Sequence, residues 1–213
     1  MLLPVDPDYP NLKKVANAAR ILHGGGLLAY PTDTTYGIGA DPFQSKAVSL
    51  LFTETRRPVT KPASLLCSDL KMVGQYALIS DWAFRAMRRA VPGPYTFILP
   101  ARETVPRGML GKRREVGIRV PDHAITQSLI AALGTPLLNV SAHDEAGAIL
   151  NDARDIEDRW GYKLEAVLDC GPVLAQESTV IDLMDDEPVL IREGLGDPSI
   201  FISNWNPAHR SPD

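Results

Sequence analysis

Cysteine is nearly missing from this sequence: among 213 residues only Cys67 and Cys170 carry thiols. Neither belongs to a Cys-x-x-Cys pair, and the four histidines fall in no ligand spacing, so a disulfide framework and a tetrahedral zinc site are both excluded. Each cysteine stands among apolar or small neighbours and is expected to pack as a small hydrophobe. Long hydrophobic runs are missing as well. No stretch of about 18 apolar residues occurs, and the N-terminus lacks the basic-then-apolar order of a secretory signal, which points to a soluble cytoplasmic protein. There is no Walker-type Gly-x-x-x-x-Gly-Lys-Ser/Thr and no Gly-x-Ser-x-Gly, so neither a P-loop nor a serine nucleophile is indicated. Internal repeats and low-complexity tracts are likewise absent.

What is present suits one α/β domain, assigned to residues 1–203, with a tail over 204–213 that has no periodicity. Net charge is only −4 but is unevenly spread: residues 85–119 hold nine Lys/Arg against two acids, whereas 144–197 hold fifteen acids against four bases. A basic middle of this kind suits an anion-binding face.

Residues 27–40 organise the rest. An apolar run over 27–30 passes into Pro31-Thr32-Asp33-Thr34-Thr35, three threonines within four residues, and then into Gly37-Ile38-Gly39, which reads as a turn. Before it, Leu12, Val15, Ala16, Ala19 and Leu22 at helical spacing predict an amphipathic helix over 11–23, stopped by Gly24-Gly25-Gly26. Gly24-x-Gly26-x-x-Ala29 loosely matches a dinucleotide fingerprint, but that motif needs a strand before and a helix after, and the order here is reversed. Further helices are expected over 45–54, capped by Ser45, over 70–76 and 81–90, along Ile125, Leu129, Ile130 and Leu133, and around Ile156 and Trp160. Strands are expected over 63–67, 95–99, 116–120, 137–140, 166–168, 179–183 and 188–191, the last two forming a hairpin around Met184-Asp185-Asp186-Glu187. Arg119 interrupts an otherwise apolar strand and must reach solvent, an acid or a ligand.

Several strands end in polar residues: Thr32 and Thr34, Asn139 and Ser141, Ser178 and Thr179, and Arg192. Ligands collect at strand ends in α/β sheets, so these residues can converge on one cleft. With Arg57, Lys61 and Arg119 they make a set of hydroxyls and fixed cations, the donors that recognise phosphate and carboxylate. Such a set works by positioning and charge stabilisation rather than covalent catalysis, as phosphoryl and nucleotidyl transfer require. His123, beside Asp122 ahead of a helix, reads as a loop or capping residue rather than a base.

Tyr30-Pro31-Thr32-Asp33-Thr34-Thr35-Tyr36-Gly37, Arg57-Pro58 with Lys61-Pro62, Pro92-Gly93-Pro94-Tyr95-Thr96-Phe97, Gly117-Ile118-Arg119-Val120-Pro121, Ser141-Ala142, Glu177-Ser178-Thr179-Val180-Ile181-Asp182 and Ile191-Arg192-Glu193-Gly194 follow one another in the order of the blocks of the YrdC/YciO family. The sequence resembles that family over about residues 10–200, and its YciO branch most of all. The resemblance implies a single-domain, twisted open α/β sheet of mixed parallel and antiparallel strands with a concave basic cleft. It also implies the activity of the family's threonylcarbamoyl-AMP synthases, which make threonylcarbamoyl-AMP from L-threonine, bicarbonate and ATP for tRNA modification. By match to the family pattern, Thr34, Arg119, Asn139 and Ser178 would hold threonine. Arg57, Lys61, Ser141 and Arg192 would face ATP, with Arg57 and Lys61 as the catalytic cations and Mg²⁺ implied by the nucleotide.

Two departures bear on activity. Where the synthases usually show Lys-x-Arg and Ser-x-Asn, this sequence has Thr55-Arg56-Arg57 and Ser141-Ala142-His143. One cation and one amide are lost, which implies a slowed reaction unless Arg56 or His143 substitutes. Leu66 stands where some members carry a threonine-contacting histidine. Two other readings follow: a double-stranded RNA or tRNA binder that uses the same cleft without synthase chemistry, and an adenylating enzyme for a different small amine.

Overall fold

The computed structural model describes residues 1–56, 64–110 and 113–202. In chain order the elements are β1 (Leu2–Pro4), α1 (Leu12–His23), β2 (Leu28–Tyr30), β3 (Gly37–Ala40), α2 (Ser45–Glu54), β4 (Ser64–Leu66), α3 (Leu70–Tyr76), α4 (Asp81–Met87), β5 (Tyr95–Pro100), β6 (Glu115–Arg119), α5 (Ala124–Leu133), β7 (Leu137–Ser141), α6 (Ala153–Trp160), β8 (Ala166–Asp169), β9 (Thr179–Asp182) and β10 (Val189–Arg192). Local chemistry starts and stops them. Asn11 caps α1 by accepting from the Lys13 and Lys14 backbone N–H groups, and Asp69, Ser80 and Asp152 do the same for α3, α4 and α6. Gly134 ends α5 in the left-handed region at φ 73°, which a residue with a Cβ adopts at a penalty.

The differences from the sequence reading have physical causes. Gly37-Ile38-Gly39 is strand, not turn: β3 lies between β2 and β7, where side chains at Gly37 and Gly39 would collide with Tyr30 and Asn139. The short β1 carries too few residues to show a period, and it pairs with β8. Leu12 is exposed and Ala18 takes the buried position on α1. Ser45 is the first residue of α2 rather than its cap, and the cap position, Gln44, makes no side-chain bond to the helix. Helix α4 ends at Met87, short of the expected residue 90. Arg57, Lys61 and the tail over 204–213 lie outside the described residues.

The ten strands form one mixed sheet in the order β1-β8-β2-β3-β7-β4-β6-β5-β9-β10, open at β1 and β10. Among the described strands four pairs are parallel (β1 with β8, β8 with β2, β4 with β6, β5 with β9) and the other five are antiparallel. Side chains alternate between the faces of a strand, and the two faces have different fates. On one, Ala29, Ile38, Leu65, Phe97, Ile118, Leu138 and Ile181 pack in one core with residues from α2, α3, α4 and α6. On the other, Leu28, Tyr30, Leu66 and Leu137 are covered by α1 and α5, through Val15, Leu22, Ile125 and Leu129 among others. That cover stops short. Beyond Leu66 and Leu137 the same face continues as Ser64, Asn139, Arg119, Thr96, Ser178 and Asp182, and it lines a cleft.

Candidate active site

The cleft encloses about 820 Å³. Its floor is the period-two row of polar residues just described, and its walls come from the end of α2, the loop after β7, α6, and residues 177–178 with β10. The charged residue that interrupted an apolar strand lies at its base. Arg119 is only 5% exposed. Its Nη1 donates to Thr34 Oγ1 at 2.8 Å and its Nη2 to Asp33 Oδ1 at 2.5 Å. Burial draws its pKa down from the ordinary arginine value, against the opposing pull of Asp33. Nε of Arg119 and Oδ2 of Asp33 are buried without a hydrogen-bond partner among the described residues, so donor and acceptor capacity remains at this spot. Thr34 itself is buried behind Arg119. Thr32 Oγ1 donates to Thr35 O at 2.7 Å, so in the 3.0 Å contact between the two hydroxyls Thr34 is the donor and Thr32 the acceptor.

A second cluster joins the late sequence blocks. Ser178 Oγ and Thr96 Oγ1 are 2.8 Å apart across β5 and the start of β9. Arg192 holds the Ser178 backbone, with Nε and Nη2 donating to its carbonyl oxygen at 3.1 and 2.9 Å, and Nη1 donates to Glu177 Oε2 at 2.6 Å. Gly194 makes this possible: a Cβ there would stand 2.4 Å from Glu177 O and from the Ser178 carbonyl carbon. On the facing wall, His143 Nδ1 lies 3.0 Å from Ser141 O, and its Nε2 lies 3.8 Å from Glu177 Oε1.

The cleft carries both signs of charge. Among its described lining residues are Arg56, Arg113, Arg119, Arg159 and Arg192, and each has a carboxylate partner. Arg113 donates to Asp182 at 2.6 Å, Arg159 and Arg56 flank Glu145 at 2.6 and 3.7 Å, and Asp33 and Glu177 take the other two. Glu115, 7% exposed, also lines the cleft, and its Oε2 has no partner among the described residues. From the basic segment, Arg113 and Arg119 reach the cleft, whereas Arg85, Arg88, Arg89, Arg102, Arg107 and Arg114 do not line it.

Of the residues expected to bind ligand, Arg119, Asn139, Ser141, Ser178 and Arg192 line this one cleft, and Thr34 joins them through Arg119. Sequence reasoning missed Asp33, Thr96 and Glu177. Asp33 had a signal, being the one acid in the threonine-rich turn and so a partner for the one charge within a buried strand; Thr96 and Glu177 stood in two of the family blocks without an assigned role. Thr55 lines the wall, but its Oγ1 donates to Leu51 O at 2.7 Å and closes its own helix. Leu66 is fully buried under α1 and α5 at the cleft floor. His123 precedes α5 without capping it through its side chain, and burial lowers its pKa from the usual histidine value. Among the described residues no group of three or more His, Cys, Asp or Glu side chains is placed to hold a metal ion, and no helix is long and apolar enough to cross a membrane.

Comparison with known proteins adds the following. The model of the Sua5/YciO/YrdC family, described as "Telomere recombination", matches residues 20–194. YciO of Escherichia coli, a protein named as uncharacterized, is 35% identical over 200 residues, 93% of this chain and 97% of YciO. Its crystal structure matches with a TM-score of 0.92 over 95% of this chain and 99% of that one. The threonylcarbamoyl-AMP synthase of Pyrococcus abyssi is 33% identical over 183 residues, 85% of this chain but 54% of the synthase. The crystal structure of P. abyssi Sua5 complexed with L-threonine matches with a TM-score of 0.85 at 32% identity, over 91% of this chain and 57% of that one.

Proposed function

We propose that this chain, which belongs to the Sua5/YciO/YrdC family, is a nucleotidyltransferase of the threonylcarbamoyl-AMP synthase type. The observation that carries the reading is the meeting of Arg119, Asn139, Ser178, Ser141 and Arg192 in one cleft, with Thr34 hydrogen-bonded to Arg119 at 2.8 Å. In this reading the carboxylate of L-threonine lies over the Arg119 guanidinium, which Thr34 holds from behind, and Asn139 and Ser178 orient its polar groups. The amine adds to bicarbonate, giving a carbamate and water. A carbamate oxygen attacks the α-phosphorus of ATP, and the bond to pyrophosphate breaks. Ser141, Arg192, Arg57 and Lys61 face the nucleotide and offset the charge that builds on the transferring and departing phosphates. Mg²⁺ arrives with ATP as part of the substrate, and one or two carboxylates suffice to steady such an ion. Replacement of the usual Lys and Asn by Thr55 and His143 slows the reaction relative to the synthases.

Purified protein given ATP, L-threonine and bicarbonate releases pyrophosphate only when threonine is present, and Arg57→Ala lowers the release. Threonine-dependent release no greater than that of Arg57→Ala would overturn the assignment. Calorimetric titration with ATP followed by a panel of amino acids identifies the amine if it is not threonine.

A further inference from the structure

Every arginine described on the cleft wall already has a carboxylate partner, with Arg56 and Arg159 sharing Glu145, and for Arg192 that partner has a second place to go. Glu177 Oε2 accepts from Arg192 Nη1 at 2.6 Å, while Glu177 Oε1 lies 3.8 Å from His143 Nε2. The other donors of Arg192 point back into the wall: Nε and Nη2 to Ser178 O, and Nη2 to Ser178 Oγ at 3.3 Å. Of the five N–H groups of a guanidinium, those contacts and Glu177 engage four. An oxyanion therefore cannot take Nη1 as a two-toothed partner while Glu177 remains.

His143 is placed to receive the displaced carboxylate. A carbonyl oxygen only accepts, so the 3.0 Å contact with Ser141 O assigns the proton to Nδ1 and leaves Nε2 facing Glu177. The other charges at this end of the cleft are Asp144 and Glu145 from the same loop, Glu54 and Arg56 from the end of α2, and Arg159 from α6. Glu145 is engaged by Arg56 and Arg159, and Glu54 by Lys163 at 3.0 Å. Glu177 is the carboxylate within ion-pair reach of the His143 ring among the described residues.

We infer that Glu177 is a displaceable counter-ion of Arg192 and His143 its alternative seat, so that an oxyanion arriving on Arg192 draws a solvent proton onto His143 Nε2. The two are positioning residues for the anion site. The inference rests on the proposed function only for the identity of the natural anion, a phosphate of ATP. Imidazole is the side chain that ordinarily changes charge between about pH 5 and 8. Coupling between proton and anion is reciprocal, so anion affinity strengthens as pH falls through that range.

Sulfate tests this because it remains a dianion throughout the range and requires neither threonine nor ATP. Calorimetric titration of the full chain with sodium sulfate, at constant ionic strength, is expected to show binding about fivefold or more tighter near pH 6 than near pH 8. The heat should vary with the ionisation enthalpy of the buffer, reporting proton uptake. His143→Gln should give an affinity that does not change with pH. Glu177→Gln, or Glu177→Ala if the first does not fold, should bind sulfate more tightly than wild type near pH 8 and show no pH dependence. Thermal melts confirm that each variant is folded. Retention of the pH effect in His143→Gln, no gain in the Glu177 variants, or no sulfate binding by wild type and Glu177 variants alike would overturn the inference. Pyrophosphate release is read separately, so a missing synthase activity leaves the exchange standing and a missing exchange leaves the synthase assay untouched.

Discussion

Tyr30 Oη donates to Asn139 Oδ1 at 2.8 Å, reaching from β2 to β7 across an intervening strand that has glycine at both positions beneath it. The phenol is fully buried, and desolvation raises its pKa well above the ordinary tyrosine value, so it stays a donor at all accessible pH. Asn139 is thereby fixed where β7 enters the cleft. A Cβ on Gly37 would lie 2.1 Å from Asn139 Oδ1 and 3.1 Å from the Tyr30 ring. Gly37→Ala should therefore lower the free energy of unfolding by about 2 kcal/mol, measured by urea denaturation. Tyr30→Phe, which keeps the ring and removes the donor, should cost about 1 kcal/mol.

Arg119 and Asp33 form a buried pair, with side chains 6% and 12% exposed. Removing one partner of such a pair strands the other, so Arg119→Met should destabilise the fold by about 3 kcal/mol. Adding Asp33→Asn to that variant should recover part of the loss. A urea midpoint for Arg119→Met within error of wild type would show that the charge is not enclosed as described.

Thr55 terminates α2 at the cleft wall and turns its hydroxyl onto Leu51 O. Thr55→Lys gives up that bond and adds an ammonium beside the phosphates of the proposed nucleotide. A gain of about 1.4 kcal/mol in transition-state stabilisation is tenfold in rate. An increase of about tenfold or more in threonine-dependent pyrophosphate release is expected, and an unchanged rate would place the missing cation elsewhere.

His123 carries a pKa lowered by burial, and its Nδ1 has no partner among the described residues. A histidine held below its unfolded value near 6.5 binds fewer protons folded than unfolded. Its contribution to stability is present above about pH 6.5 and is lost as pH falls below that value. Urea midpoints measured from pH 7.5 down to 5.5 should fall, and His123→Gln should flatten that fall.

Helices and most strands were legible because their signals are local. Ser80 and Asp69 announce helix starts, and the apolar runs of β5, β7 and β8 announce buried strands. The glycine strand β3 was not legible, since Gly-Ile-Gly carries no alternation of its own and is extended only because β2 and β7 hold it on either side. Candidate ligand residues were legible as polar strand ends, but their counter-ions were not. Asp33 and Arg119 are separated by 86 positions, and Arg113 and Asp182 by 69, distances over which sequence pattern carries no pairing information.

The amino-acid sequence by itself determined the kinds of element, the apolar faces, and the stock of hydroxyls and guanidinium groups, because backbone preference and side-chain period act within a few residues. Only the tertiary structure decided that α1 and α5 cover part of one sheet face and leave a polar part of it lining a cleft. It also decided that each described arginine in the cleft meets a carboxylate. Those outcomes depend on strand order and on which distant charges burial forces together, since a buried charge must be paired wherever its partner lies in the chain.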